Sequence, residues 1–395
     1  MKSNVMIFGG GGYNAVQVYF SLKNSVRFHP IMAGSYDNHA TYISKDAIID
    51  LPFTKDENFI EKLNECVQAH NIKFIIPTHD SAALTLMENQ ERIKATVVCS
   101  CLETTRMCRY KSLTYKALEG ADFLPTIYTY NAPEFPLFAK DDVGQGGRNA
   151  RLVRTKDELE KLKSDPVEYV LCEYLPGKEV TIDCFTDRHG VLRFTQPRYR
   201  ERLMNGITAR TSNAEMTEEL LHIVTEISRR IKFRGYWFVQ CKADSDGKFK
   251  LMEISTRFAG TFDLSKSLDV NLPLLALCDF SEMEVDFTPR AKGYYAFQDA
   301  IKFSEKNAPG KSVYIDIGYS FMAAEVLLTS VRAGIGEFDL KKKIKKYLSI
   351  SHCIDFVRHG KNMYQKLLVC GVAINSHVIK YILDDMGLLK IIYSR

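Results

Sequence analysis

The chain has 395 residues, room for two to three domains at ~100–200 residues each. Hydrophobic residues make up 46% and charged residues 26%, a globular balance that excludes a mostly disordered or collagen-like chain. Lys and Arg total 53 against 48 Asp and Glu, and a net charge of +5 over this length points to no nucleic-acid partner.

No apolar run approaches the ~18–20 residues of a membrane-spanning helix, so no membrane partner is expected. The N-terminus lacks the long apolar stretch and small-residue cleavage site of a signal peptide, and a cytoplasmic location is expected. Ten cysteines include no C-x-x-C pair, the closest being Cys99 and Cys101. A zinc ribbon is excluded, and buried thiols are expected instead.

The first hundred residues alternate strand and helix: VMIF (5–8), a helix over 15–24, a strand at 29–34, a helix over 57–70, a strand at 73–78, a helix over 81–93 and a strand at 97–100. That alternation predicts a parallel sheet. A new pattern begins near Thr104, and antiparallel hairpins are expected from about Leu124 to Thr256.

Two glycine loops stand out. Gly9 to Gly12, after a strand and before a helix, could cradle a phosphate, but Asp37 lies late for the acidic residue of a dinucleotide fingerprint. The second loop, in FPLFAKDDVGQGGRNARLV (135–153), lies between strands, with Gly144, Gln145, Gly146 and Gly147 at its tip. Such a loop can aim backbone N–H groups at phosphate oxygens, and Lys140 beside it supplies a point charge. A solvated hairpin tip explains the same residues equally well.

Asp246-Gly247, between the runs 236–244 and 248–258, signals a two-residue hairpin turn. That turn sets Gln240 opposite Glu253, close enough for both oxygens to share one hard cation. Alternation puts Glu253, Ser255 and Arg257 on one face, with Met252 and Ile254 on the other. A bulge would shift this register. Arg198 and Arg200 alternate onto one face and could clamp an anion, or else form an ion-pair network with Glu201.

With these pieces in hand, residues 1–280 resemble the ATP-grasp superfamily, most of all the half-modules of carbamoyl-phosphate synthase large subunit and biotin carboxylase. The resemblance implies an N-terminal parallel α/β domain (1–103, ending near FIIPTHDSAALTL), which usually binds no nucleotide. A two-lobed ATP-grasp fold with antiparallel sheets (104–285, lid about 115–175) would follow, giving a chain of mixed α/β and α+β class. It implies Lys111 and Lys140 as the ATP-contacting lysines and Gly144, Gly146 and Gly147 as the phosphate cover. Glu173, Tyr174 and Leu175 would meet the adenine, and Glu179 the ribose. Gln240, Glu253 and Ser255 would hold Mg2+ or Mn2+, and Arg257 and Arg200 would steady the acid or its phosphate. The implied reaction joins a small-molecule carboxylate to an amine through an acyl phosphate, with a homodimer compatible with this class. The substrates could be an amino acid and a polysaccharide sugar.

Two positions depart from the family pattern. Ser255 replaces the usual Asn, and Asp141-Asp142 follow Lys140 where proline and small residues are typical. These departures favour a rival reading as a degenerate ATP-binding regulatory module. A biotin-type carboxylase is a second rival, and a Rossmann oxidoreductase a third.

Residues 286–395 either complete the ATP-grasp domain or form a degenerate phosphatase-like piece, from the faint resemblance of 352–356 and 371–383. Gly310-Lys311-Ser312 is no P-loop, because Glu305 stands where glycine is needed.

Overall fold

The computed structural model describes residues 2–284 apart from short breaks at 37–39, 145–146, 148 and 205–206, together with three short strands at 295–297, 302–304 and 313–315. Two compact units are present, residues 1–297 and 298–395.

The N-terminal part follows the predicted alternation: β1 (Ser3–Phe8), α1 (Tyr13–Leu22), β2 (Phe28–Ala33), α2 (Ala40–Ile43), α3 (Phe59–Ala69), β3 (Ile72–Pro77), α4 (Asp80–Glu88) and β4 (Thr96–Val97). The strands form a parallel sheet of order β2-β1-β3-β4. Near-continuous apolar runs such as Val5 to Phe8 suit strands covered on both faces.

Two helices follow, α5 (Leu102–Arg109) and α6 (Lys111–Ala117), and then β5 (Ile127–Tyr128), β6 (Leu137–Asp141), β7 (Arg151–Val153), α7 (Lys156–Leu162) and β8 (Tyr169–Glu173). The four strands make an antiparallel sheet of order β5-β8-β6-β7, the second glycine loop joining β6 to β7. Leu137, Ala139, Val153, Leu159 and Leu171 give this lobe its own small core.

The third sheet holds β9 (Glu179–Thr186), β10 (Leu192–Met204) and β11 (Ile207–Asn213), then, beyond α8 (Glu218–Arg230), β12 (Gly235–Ala243) and β13 (Phe249–Ser255). The helix α9 (Leu272–Phe280) precedes β14 (Tyr295–Phe297), which pairs with β11, so the strand order is β13-β12-β9-β10-β11-β14. Beyond it, β15 (Lys302–Ser304) and β16 (Val313–Ile315) pair with each other. The remaining motifs of the last hundred residues lie outside the described residues.

Sequence explains why the central sheet has one dry face. Val180, Ile182 and Cys184 alternate on β9, and Trp237, Val239 and Cys241 on β12; all six are fully buried against α8. That helix presents Leu220, Ile223, Val224 and Ile227 at helical spacing, starts at the Thr217 cap and ends on Arg229 and Arg230. Its pattern was there to be read, although only hairpins were expected in this stretch.

Of the described cysteines, Cys101 is exposed and Cys66 and Cys278 are half-buried, against the expectation of uniform burial; the other five are buried. No helix among the described residues is long and apolar enough to cross a membrane.

Trp237 is fully buried, stacked on Phe233 at 3.8 Å and donating to Thr186 Oγ1 at 2.9 Å. Trp237→Ala is expected to lower unfolding free energy by about 3–5 kcal/mol, measured by urea denaturation.

Candidate active site

The second face of the central sheet carries the polar and charged side chains, because residues two apart on each strand share a face. Thr181 and Asp183 on β9, Arg198 and Arg200 on β10 and Gln240 on β12 alternate with the buried apolar set. Charges cannot be left bare there, so they pair. Arg200 donates to Glu179 at 2.8 Å, to Gln240 Oε1 at 3.2 Å and to Thr208 at 2.8 Å. Lys242 also lies 3.4 Å from Glu179.

Arg198 does not join Arg200 as an exposed clamp. It is 1% exposed, bound to Asp183 at 2.6 Å and to Thr261. Nor does Glu201 bind either arginine: it takes Arg210 at 2.6 Å and the Ser212 hydroxyl at 2.6 Å.

The β12–β13 hairpin sets Gln240 opposite Glu253, by a route that differs from the expected one. Its loop has three residues, not two. Asp244 N donates to Lys248 O, and Asp244 Oδ1 accepts from the amides of Asp246 and Lys248. Gly247 adopts φ +83, which favours glycine. The register is then offset by one until a bulge between Gln240 and Cys241 restores it. The bulge also re-sorts the faces: Leu251 and Ile254 enter the core together, while Met252 stays out of it. Phe238 faces Ser255, and Leu251 faces Cys241.

Lys140, on β6, is 6% exposed and donates to Tyr115 Oη at 3.2 Å. Burial opposes its charge, but the Tyr115 oxygen, the Cys172 sulfur and the Glu253 carboxylate outweigh it and raise its pKa. Burial pushes the Tyr115 phenol up to about 12.

Lys111 opens α6 and reaches back to the second glycine loop, donating to the carbonyls of Asp141 at 2.9 Å, Gly144 at 3.2 Å and Asp142 at 3.3 Å. Burial lowers its pKa, and the charges of Lys140 and Arg109 add to that effect against Glu253 and Asp142. The two suspect carboxylates turn to local work. Asp142 accepts from Ser112 N and Oγ, both at 2.7 Å, capping the start of α6. Asp141 accepts from Val143 N and from Asn149 Nδ2, both at 3.0 Å. Gly147 has φ +74, and Gly146 lies outside the described residues.

Glu173 ends β8 and exchanges hydrogen bonds with Thr126: its carboxylate accepts from Thr126 N at 3.0 Å and its amide donates to Thr126 O at 2.9 Å. Tyr174 is 36% exposed and Leu175 is buried.

The N-terminal part reaches into the site through Asp80, a residue that sequence reasoning missed. Asp80 begins α4 at the carboxyl end of β3. Its Oδ1 accepts from Ser255 Oγ at 2.5 Å and its Oδ2 from Arg257 Nε at 3.0 Å. Burial pushes the carboxyl up, but the Arg257 charge, the hydrogen bonds from Ser255 and Arg257 and the Arg109 charge together hold it below the ordinary range. Arg257 also donates to Phe258 O and lies 5.1 Å from the Phe238 ring centroid. The position of Asp80, just beyond a parallel strand's carboxyl end, is the signal that could have found it.

The result is a narrow cleft lined by Asp80, Arg109, Lys111, Gly144, Glu253, Ser255 and Arg257. Glu253 is its negative centre, and its charge acts on Lys111, Lys140, Arg200 and Arg257. No cluster of three His, Cys, Asp or Glu suited to a metal occurs among the described residues.

The Gly9–Gly12 turn packs rather than cradles. The amides of Gly9 and Gly10 both donate to Ala33 O, and that of Gly12 to Gly9 O. A Cβ on Gly9 would lie 2.5 Å from Thr78 Oγ1 and 2.6 Å from His79. Close approach explains these glycines without a phosphate.

The lowered Asp80 carboxyl predicts a pH effect. Its ionised form stabilises the fold fully above the unfolded pKa of about 4, and that contribution fades as pH falls through its lower folded value. The melting temperature of Asp80→Asn is expected to lie below that of the wild type at neutral pH, with the gap closing on acidification below about pH 4. A gap that widens there refutes the assignment.

Residues 165–299 match the family model described as "ATP-grasp in the biosynthetic pathway with Ter operon". No curated protein matches the chain by sequence. Among solved structures, an L-amino acid ligase from Bacillus licheniformis is 16% identical, with 77% of this chain and 82% of that one covered at a TM-score of 0.61. A biotin carboxylase–β,γ-ATP complex from Campylobacter jejuni is 13% identical, with 72% of each chain covered and a TM-score of 0.60. N5-carboxyaminoimidazole synthetase from Staphylococcus aureus, complexed with ADP, is 16% identical over 77% of this chain and 83% of that one, also at 0.60. A parallel α/β part, a small antiparallel lobe and a central antiparallel sheet, in this order and with these neighbours, make the chain a protein of the ATP-grasp fold, biotin carboxylase-like in architecture.

Proposed function

We propose that the chain is an ATP-dependent carboxylate–amine ligase. The observation that carries this reading is the cleft where Glu253, opposite Gln240, meets Arg109, Lys111 and Arg257 together with Gly144 of the glycine loop. A site this rich in positive charge suits a triphosphate, whose transfer chemistry needs positioning and charge neutralisation more than covalent help.

The donor set fits a hard divalent cation. Gln240 and Glu253 offer oxygens on one rung, and Ser255 donates its proton to Asp80, leaving its lone pairs for a cation. One carboxylate with neutral oxygens is too few for an all-protein cage, but it matches Mg2+, which takes one or two carboxylates and completes its shell with phosphates and water. Mn2+ accepts the same oxygen donors. When bound, the ion would neutralise charge on the phosphates.

The residues divide the remaining work. Lys140 sets a fixed positive charge beside the phosphates, and Lys111 ties down the glycine loop until nucleotide displaces its carbonyl contacts. Gly144, Gly146 and Gly147 cover the phosphates, Glu173, Tyr174 and Leu175 receive the adenine, and Glu179 the ribose. Arg257 and Arg200 steady the acid. In the reaction, a carboxylate oxygen of the acid bonds to the γ-phosphorus and ADP leaves. The amine nitrogen then bonds to the acyl carbon, phosphate leaves, and the nitrogen loses a proton. An amino acid fits the class of the Bacillus licheniformis neighbour, and consumption of ATP fits a cytoplasmic setting.

The biotin carboxylase neighbours favour a second reading in which bicarbonate is the acid. Bicarbonate-dependent, biotin-stimulated ADP release would select it.

ADP release with Mg2+ and ATP, measured across a panel of amino acids and amines, tests the ligase reading. Lys140→Ala and Glu253→Ala are each expected to abolish turnover. Near-normal release by Glu253→Ala would refute it.

A further inference from the structure

We propose that Arg109 binds an oxyanion of the acid substrate, either its entering carboxylate or the phosphoryl group it acquires; this rests on the ligase reading above. Arg109 ends α5, two residues before Lys111, and lines the cleft together with Glu253 and Arg257.

The neighbouring cations are already engaged. Lys111 holds three loop carbonyls, Lys140 holds Tyr115, Arg200 holds Glu179, and Arg257 holds Asp80. Arg109 has no side-chain hydrogen bond or ion pair among the described residues. Its charge is felt in the cleft all the same, acting on both Asp80 and Lys111.

The contrast with Arg106, on the same helix, is informative. A cation near a helix C-terminus is favourable wherever it points, and Arg106 satisfies that on the surface, 2.8 Å from Glu88. Arg109 gains the same benefit but is half-buried and lines the cleft together with Asp80 and with Gly144 of the loop expected to cover the triphosphate. A planar fork of N–H donors there matches a carboxylate or a phosphoryl group bidentately. The lysines and the metal rung already serve the triphosphate, so the unengaged cation joins Arg257 and Arg200 at the second anion that the reaction brings in.

The test titrates inorganic phosphate and, separately, acetate into the full-length chain saturated with MgADP, using wild type, Arg109→Ala and Arg109→Lys. Arg109→Ala is expected to weaken the wild type's binding of at least one probe about tenfold or more, with Arg109→Lys intermediate, because charge-assisted hydrogen bonds are lost. MgADP affinity should be unchanged in all three, which also shows that the variants fold. Loss confined to phosphate places the phosphoryl group at Arg109, and loss confined to acetate places the carboxylate there; either supports the proposal. Unchanged binding of both probes to Arg109→Ala overturns it, as does wild-type MgADP complex that binds neither. Failure of the wild type to bind MgADP overturns the ligase reading, and this proposal with it.

Discussion

The site depends on one electrostatic constraint: several cations must be held close together without a bound anion to separate them. Two like charges 4 Å apart repel by about 4 kcal/mol at an effective dielectric near 20. All of the cations but Arg109 are therefore answered by something fixed. Glu253 acts on four of them, Glu179 takes Arg200, and Asp80 takes Arg257. Lys111 leans on backbone carbonyls, which satisfy its ammonium without cancelling its charge. The positive field survives, and a polyanion can exploit it.

The same constraint joins the parallel α/β part to the central sheet. Polar contacts cross their seam. Asn14 donates to Phe258 O at 2.9 Å, Asn271 to Ser21 O at 2.7 Å, and Ser100 Oγ to Arg234 O at 3.1 Å. Asp80 adds two charge-assisted bonds at the cleft itself. Hydrogen bonds are directional, so those that Asp80 accepts hold it in register with Ser255 and Arg257. The N-terminal part acts on the site through this seam and not through its own glycine turn.

Much of this was legible in the chain. Strand and helix alternation gave the parallel sheet, and Lys140, the second glycine loop and the Gln240–Glu253 rung lay in the right order. The rung, though, was reached through two deviations that cancel: a three-residue loop where two were expected, and a bulge that restores the register. Turn chemistry announces a hairpin well, but Asp-Gly also serves longer loops, and nothing local marks a bulge. The Glu201 network failed for a different reason. Alternation says which residues share a face, but not which charge finds which, and Arg198 sank to Asp183 while Glu201 turned to Arg210. Asp80 and Arg109 were missed because their importance is non-local; each becomes meaningful only when two distant segments meet.

The two departures from the family pattern now have structural companions. Asp141 and Asp142 do not face a phosphate unanswered, since one orders the glycine loop and the other caps α6. Ser255 is coupled to Asp80. Its short side chain leaves room for a carboxylate 2.5 Å from the hydroxyl oxygen, and a longer asparagine would extend into that space. A serine at 255 and an acid at 80 are therefore coupled: the hydroxyl stays on the strand and donates to a carboxylate that arrives from the N-terminal part, and the same carboxylate gives Arg257 a fixed partner.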